Sequence, residues 1–357
     1  MLPAVGVSLP RVSFEYQAPK FNVSKVALLI ENRPNPVLAP LMLHFISVVP
    51  PDWRFRFMGS IESVVAINSS VAIRAQVAAG KLDLTYIPAN MTTGSQEEIS
   101  RFLTNLWVYE KLLAPAEWLL VFQTDSMLCA NSRRTLNDYL HYDWVGAPWS
   151  MKDRFGGNGG LSLRRVSAII EILRNQIRRD GSEPEDLWLT ERLGHRPGAH
   201  LANGTVSAVF SGEQFQGKTV SIEHPQGRLN ETARKTMLEK AKQGAYVESI
   251  DDWREGFYEP MGYHTGGSGK ILPGGIWGTP GLRKHIWDYC PEIKMTLQMD
   301  AAQYVPGECG QIWKRGGDGV QDEGLERPRT GMQTRGYETE VINGEEYPVL
   351  PNLVPWF

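Results

Sequence analysis

Asp125 closes an apolar run, Trp118-Leu119-Leu120-Val121-Phe122, through Gln123 and Thr124. A glycine-rich string follows, Gly156-Gly157-Asn158-Gly159-Gly160-Leu161-Ser162-Leu163-Arg164, and then Glu183, Glu185 and Asp186. A carboxylate at a strand end can bind a hard divalent cation through oxygen, and such a cation can bridge two phosphates. Bound there, it would stabilise charge on a departing diphosphate. Glycines let a backbone approach a bulky ligand closely. Asn158 can exchange hydrogen bonds with a sugar hydroxyl, and Arg164 or Arg165 can pair with phosphate. A carboxylate such as Asp186 or Glu185 can take a proton from an attacking hydroxyl. The order of the three groups reads as a metal–diphosphate site with a base nearby.

Each group also has a plainer reading. Asp125 can cap the turn after its strand. The glycines can form a tight hairpin before a helix. Glu183, Glu185 and Asp186 precede Leu187-Trp188-Leu189-Thr190, where acidic residues favour the start of a helix without any chemistry. His264, in Pro260-Met261-Gly262-Tyr263-His264, stands beside a glycine-rich stretch and suits a ligand-facing position, whereas His200, His224 and His285 lack such context. Most tryptophans read as core, with one or two available to stack on an acceptor. The string is neither a Walker A loop nor a dinucleotide fingerprint. Serine-hydrolase and zinc-protease motifs do not occur.

These groups need a scaffold, and strand–helix alternation supplies one. Lys25–Ile30, Trp53–Met58, Leu82–Ile87 and Trp118–Phe122 read as strands, with a further one at Trp144–Gly146. Val37–Val48, Ser70–Ala79, Gln96–Leu113 and Val166–Arg178 read as helices. The alternation predicts an α/β fold with a mostly parallel sheet, whose C-terminal strand ends hold ligands. Beyond about Gly198 the texture changes. Thr232–Gln243 reads as a surface helix, Gly266–Gly269 as a mobile loop, and Gly316–Arg335 as a lid, insertion or disordered stretch.

The chain has 357 residues and an apolar fraction of 42%, enough for a sizeable core. A net charge of −3 leaves no electrostatic footprint for nucleic acid. No run approaches the roughly eighteen apolar residues of a membrane span, and Met1–Lys20 lacks the apolar core of a signal peptide. Three cysteines, Cys129, Cys290 and Cys309, show no metal-ligand spacing. A reducing compartment is the simplest reading of them, with one disulfide as the alternative. The expected location is therefore cytoplasmic.

Taken in order, Val121–Ser126, Tyr142–Trp149, Asn158–Arg164, Glu185-Asp186 and Pro260–His264 resemble a largely fungal family of poorly characterised proteins related to GT-A glycosyltransferases. The resemblance runs from about Lys25 to His264. It implies a GT-A-like domain over 25–265, preceded by an extension over 1–24 and followed by a Gly/Pro-rich extension over 266–357. GT-A enzymes use an Asp-x-Asp metal motif, a glycine loop, an x-Glu-Asp motif and a metal-binding histidine. Carried over, these imply Asp125 and His264 on Mn²⁺ or Mg²⁺, Gly159 and Gly160 at the donor sugar, and Asp186 or Glu185 as base. Glu31 and Arg33, ending the first strand, are expected nucleoside contacts. Two departures stand out: Gln123 occupies the first acidic position of Asp-x-Asp, and about forty residues (216–256) are inserted before His264. The expected activity is sugar transfer from a nucleotide-sugar donor, UDP-linked, to a hydroxyl of a small-molecule acceptor such as a secondary metabolite. The alternatives are a nucleotide-sugar-binding protein without turnover, which Gln123 favours, and a metal-dependent nucleotidyltransferase.

Overall fold

The computed structural model describes residues 20–222, 245–297 apart from 249 and 271, 338–353 apart from 343, 350 and 351, and scattered positions within 231–241. Its strands are β1 Lys25–Ile30, β2 Arg54–Gly59, β3 Leu82–Tyr86, β4 Trp118–Phe122, β5 Ser126–Leu128, β6 Trp144–Ala147, β7 Asn158–Arg165, β8 Ser211–Gly212 and β9 Gly262–His264. Its main helices are α1 Leu38–Val48, α2 Ile61–Asn68, α3 Val71–Ala78, α4 Gln96–Leu103, α5 Val166–Asn175, α6 Glu185–Gly194, α7 Gly204–Phe210 and α8 Pro280–Tyr289. The six-stranded sheet has the order β3-β2-β1-β4-β7-β6. β1, β2, β3 and β4 run parallel, and β7 lies antiparallel between β4 and β6. The fold is α/β with a mostly parallel central sheet.

β1 and β4 are apolar on both faces because both faces are covered. Ala27, Leu29, Leu120 and Phe122 pack with α1 in one core, where Phe45 stacks on Phe122 at 3.9 Å. Val26, Leu28, Leu119 and Val121 pack with α4, α5 and α6 in the other. Each large apolar side chain fully buried this way contributes about 1.5–3 kcal/mol. Ile276, Trp277, Ile286 and Ile293 share the first core, so this part of the expected C-terminal extension is built into the main body. Among the described residues, no helix is long and apolar enough to cross a membrane.

Three expectations need correction, and one element is new. The helix expected over Gln96–Leu113 ends at Leu103 and resumes as a π-turn over Val108–Leu112. Asn105 accepts the Trp107 N–H at 3.0 Å, and this local bond competes with helix continuation. α2 is an element the sequence did not reveal, because exposed Ile61 and Val65 blur its amphipathic pattern. Ser60 caps it by accepting the Ser63 N–H. Asn158–Arg165 is a strand rather than a glycine loop. Cys129 and Cys290 form a disulfide, which removes the reason for reading a reducing compartment from the cysteines. The segment Gly316–Arg335, most of Thr232–Gln243 and most of the 1–24 extension lie outside the described residues.

Candidate active site

Three side chains distant in sequence meet at one end of a small sheet with the order β5-β9-β8. β5 runs antiparallel to β9, pairing Ser126 with His264, and β8 runs parallel to β9, pairing Gly212 with Tyr263. The start of β5 therefore coincides with the ends of β8 and β9. Asp125, Glu213 and His264 are brought together there. Asp125 Oδ1 lies 3.4 Å from His264 Nε2, and Glu213 Oε1 lies 3.3 Å from His264 Nδ1. All three are buried, at 7%, 9% and 5% exposure. Burial by itself would lower the imidazolium pKa, but the two carboxylates outweigh it and push His264 up to about 10.

β7 and the start of α6 form the facing wall. Gly159 donates its backbone N–H to Asp186 Oδ2 at 2.9 Å, while Asp186 Oδ1 accepts the Leu187 N–H. Asn158 Oδ1 accepts the Gly160 N–H at 2.7 Å. Gly159 and Gly160 are needed for close approach rather than for left-handed backbone. A Cβ on Gly159 would sit 2.5 Å from Glu185 Oε1, and one on Gly160 would sit 2.3 Å from His264 Nε2 and 2.7 Å from Gln123 Oε1.

Arg164 and Glu185, expected at phosphate and as base, are engaged with each other. Arg164 is fully buried, sits over the Trp144 ring at 4.2 Å, and donates to both Glu185 oxygens at 2.9 and 3.0 Å. Arg164 also donates to the Gly159 carbonyl at 3.0 Å. Its guanidinium therefore faces the protein, not a phosphate. Glu185 also borders the cavity, but it is buried and both its oxygens are paired with the Arg164 guanidinium, whereas Asp186 is held by backbone N–H groups. Burial pushes Glu185 up to about 7 against the pull of Arg164. Asp186 is only half-buried and borders the same cavity.

A cavity of about 370 Å³ opens between these walls, and Gln123, Asn158, Gly159, Gly160, Asp186 and His264 line it. Its far side carries Glu31, Asn32 and Arg33 from the end of β1, and Thr93 to Gln96 at the start of α4. Glu31 Oε1 accepts from Arg33 Nε at 2.9 Å and Oε2 from Arg33 Nη2 at 3.0 Å, which raises the Arg33 pKa. The residue that sequence reasoning missed is Glu213. It follows a two-residue strand, too short for any periodicity, and only the register of β8 with β9 brings it to His264.

The donors fit a divalent cation in one restricted way. Adjacent ligands of a hard cation at about 2.1 Å stand about 3 Å apart, close to the 3.4 Å between Asp125 Oδ1 and His264 Nε2. Glu213 sits on the other ring nitrogen and cannot join them. Among the described residues, no three His, Cys, Asp or Glu side chains are grouped so as to hold an ion. The protein would thus offer two donors once a cation displaces the Nε2 proton of His264, with the Gln123 amide oxygen close to the same point above Gly160. Such a half-built site suits Mn²⁺ or Mg²⁺ completed by phosphate oxygens and water.

A family described as a protein of unknown function (DUF5672) matches residues 81–227, a span that includes β4, β7, α6 and Glu213 but ends before His264. No curated protein matches. Among solved structures, the bifunctional glycosyltransferase WbbM in its apo form is 10% identical, over 78% of this chain and 52% of that chain, with a TM-score of 0.37. The galactosyltransferase LgtC in complex with donor and acceptor sugar analogs is 15% identical, over 68% of this chain and 88% of that chain, with a TM-score of 0.32. The mannosyltransferase Ktr4p from S. cerevisiae in complex with GDP is 8% identical, over 35% of this chain, with a TM-score of 0.26. The chain spans 40% of the length of Ktr4p. Likenesses this distant carry nothing about the activity of this chain.

Proposed function

We propose that this chain is a GT-A-type glycosyltransferase that moves a sugar from a UDP-linked donor to a hydroxyl of a small-molecule acceptor, with Mn²⁺ or Mg²⁺ as cofactor. The observation that carries the reading is that Asp186 and His264 line one cavity on either side of two glycines whose neighbours leave no room for a side chain. In this reading Asp125 and His264 hold the cation, which when bound offsets the charge of the departing diphosphate. Gly159 and Gly160 let the donor sugar lie against the β7 backbone. Glu31, oriented by Arg33, accepts a hydrogen bond from the nucleoside.

Asp186 takes the proton of the acceptor hydroxyl as its oxygen attacks the anomeric carbon. The bond from that carbon to the phosphate oxygen breaks, and its electron pair leaves with UDP, so the configuration inverts. The reading is tested by offering UDP-glucose, UDP-galactose, UDP-N-acetylglucosamine and GDP-mannose with Mn²⁺. The expected result is thermal stabilisation by at least one UDP-sugar and slow release of UDP from it. Absence of both for every donor contradicts the reading. Gln123 in place of an acidic residue favours a second reading, a nucleotide-sugar-binding protein without turnover. Stabilisation with no UDP release under any acceptor supports that second reading instead.

A further inference from the structure

We infer that Glu213 is a positioning residue that fixes His264 through Nδ1, so that Nε2 is the nitrogen presented to Asp125 and the cavity. This inference rests on the proposed donor site and adds a residue to it. Glu213 lies after β8, outside every sequence motif of the site. Its Oε1 stands 3.3 Å from His264 Nδ1 and 3.4 Å from Asn158 Nδ2. Among the described residues its Oε2 and both His264 ring nitrogens are buried without a hydrogen-bond partner, so Glu213 meets Nδ1 as an ion pair. A buried carboxylate with an orphaned oxygen costs stability. Gly266, at a φ of +70°, turns the chain so closely that its Cβ would lie 3.3 Å from Glu213 Oε1. The turn after His264 thus packs directly on this carboxylate. A carboxylate on the far nitrogen of a histidine fixes the ring orientation, and it would hold the remaining proton on Nδ1 once a cation displaces the one on Nε2. Through Asn158, whose Oδ1 holds the Gly160 N–H, the same carboxylate also braces the glycine strand.

The test compares the full-length chain with Glu213→Gln, which keeps the shape and removes the charge. The ¹⁵N resonances of the His264 ring are recorded without ligand, and Mn²⁺ binding is titrated by electron paramagnetic resonance at saturating UDP. The expected result is an unchanged fold by circular dichroism, a redistributed Nδ1–H signal in the variant, and Mn²⁺ affinity lower by about 10–100-fold. UDP binding without metal stays the same. An unchanged His264 spectrum overturns the inference whatever the ligand data show. Unchanged Mn²⁺ affinity in a protein that does bind Mn²⁺ with UDP overturns it as well. A parent chain with no Mn²⁺–UDP binding contradicts the donor reading instead, and the ring spectrum still decides the role of Glu213.

Discussion

A methyl group on Gly160 would stand 2.3 Å from Nε2 of His264, although 104 residues separate the two in the sequence. The backbone of a central strand and the ring of a buried histidine are therefore as close as atoms allow, and both face the cavity. Gly160→Ala should displace His264 and Gln123 together, costing about 1–3 kcal/mol in urea unfolding as overpacking does. It should also remove metal-dependent UDP binding. Retention of that binding would mean that the ring can yield without losing its role.

Arg164 and Glu185 form a buried ion pair beside Asp186. Glu185→Gln leaves the guanidinium over Trp144 without its counter-charge. That should cost about 3–5 kcal/mol. The double change Arg164→Leu with Glu185→Leu should be much milder than the sum of the single ones. Additive losses in urea titrations would show that the pair is not an energetic unit.

Asp186→Asn should keep UDP binding and lower turnover by about 10²–10⁴-fold, the scale of general base catalysis. The amide oxygen still accepts the Gly159 N–H but gives up the Leu187 N–H that the second carboxylate oxygen holds, so a stability loss of about 1 kcal/mol should accompany the change. Product with retained anomeric configuration would refute the assigned role even if activity fell.

His264 gives the protein a signature in alkali. Its folded pKa of about 10 lies above the ordinary 6.5, so the folded chain keeps a proton that the unfolded chain gives up. The stabilisation is complete below about pH 6.5 and is lost as the pH rises through about 10, at up to about 1.4 kcal/mol per pH unit. In chelator-treated protein, chemical unfolding from pH 6 to 10 should show this decline, and His264→Gln should lack it. Parallel curves for the two proteins would contradict the buried cluster.

The scaffold was legible where burial is simple. β1 and β4 are apolar runs because helices cover both faces of the sheet, and such runs announce themselves. β7 was hidden because its glycines, which normally mark loops, serve close approach to Glu185 and His264 inside a sheet. Asp125, Asp186 and His264 stood out from their motifs, and the fold brings them around one cavity region. The engagement of Arg164 by Glu185 was not, since a charge in a motif reads as free until its buried partner is placed. Glu213 and the Cys129–Cys290 bond depend on long-range register and packing, which no local spacing encodes.

On the proposed reading, a nucleoside diphosphate completes the half-built cation site. The most direct test is calorimetric titration of UDP into the full-length protein with and without Mn²⁺, for the parent chain and Asp125→Asn. The account predicts weak binding of either component alone, a gain of at least tenfold in UDP affinity with Mn²⁺, and loss of most of that gain in the variant. Equal affinities with and without Mn²⁺, or an undiminished gain in Asp125→Asn, would contradict it.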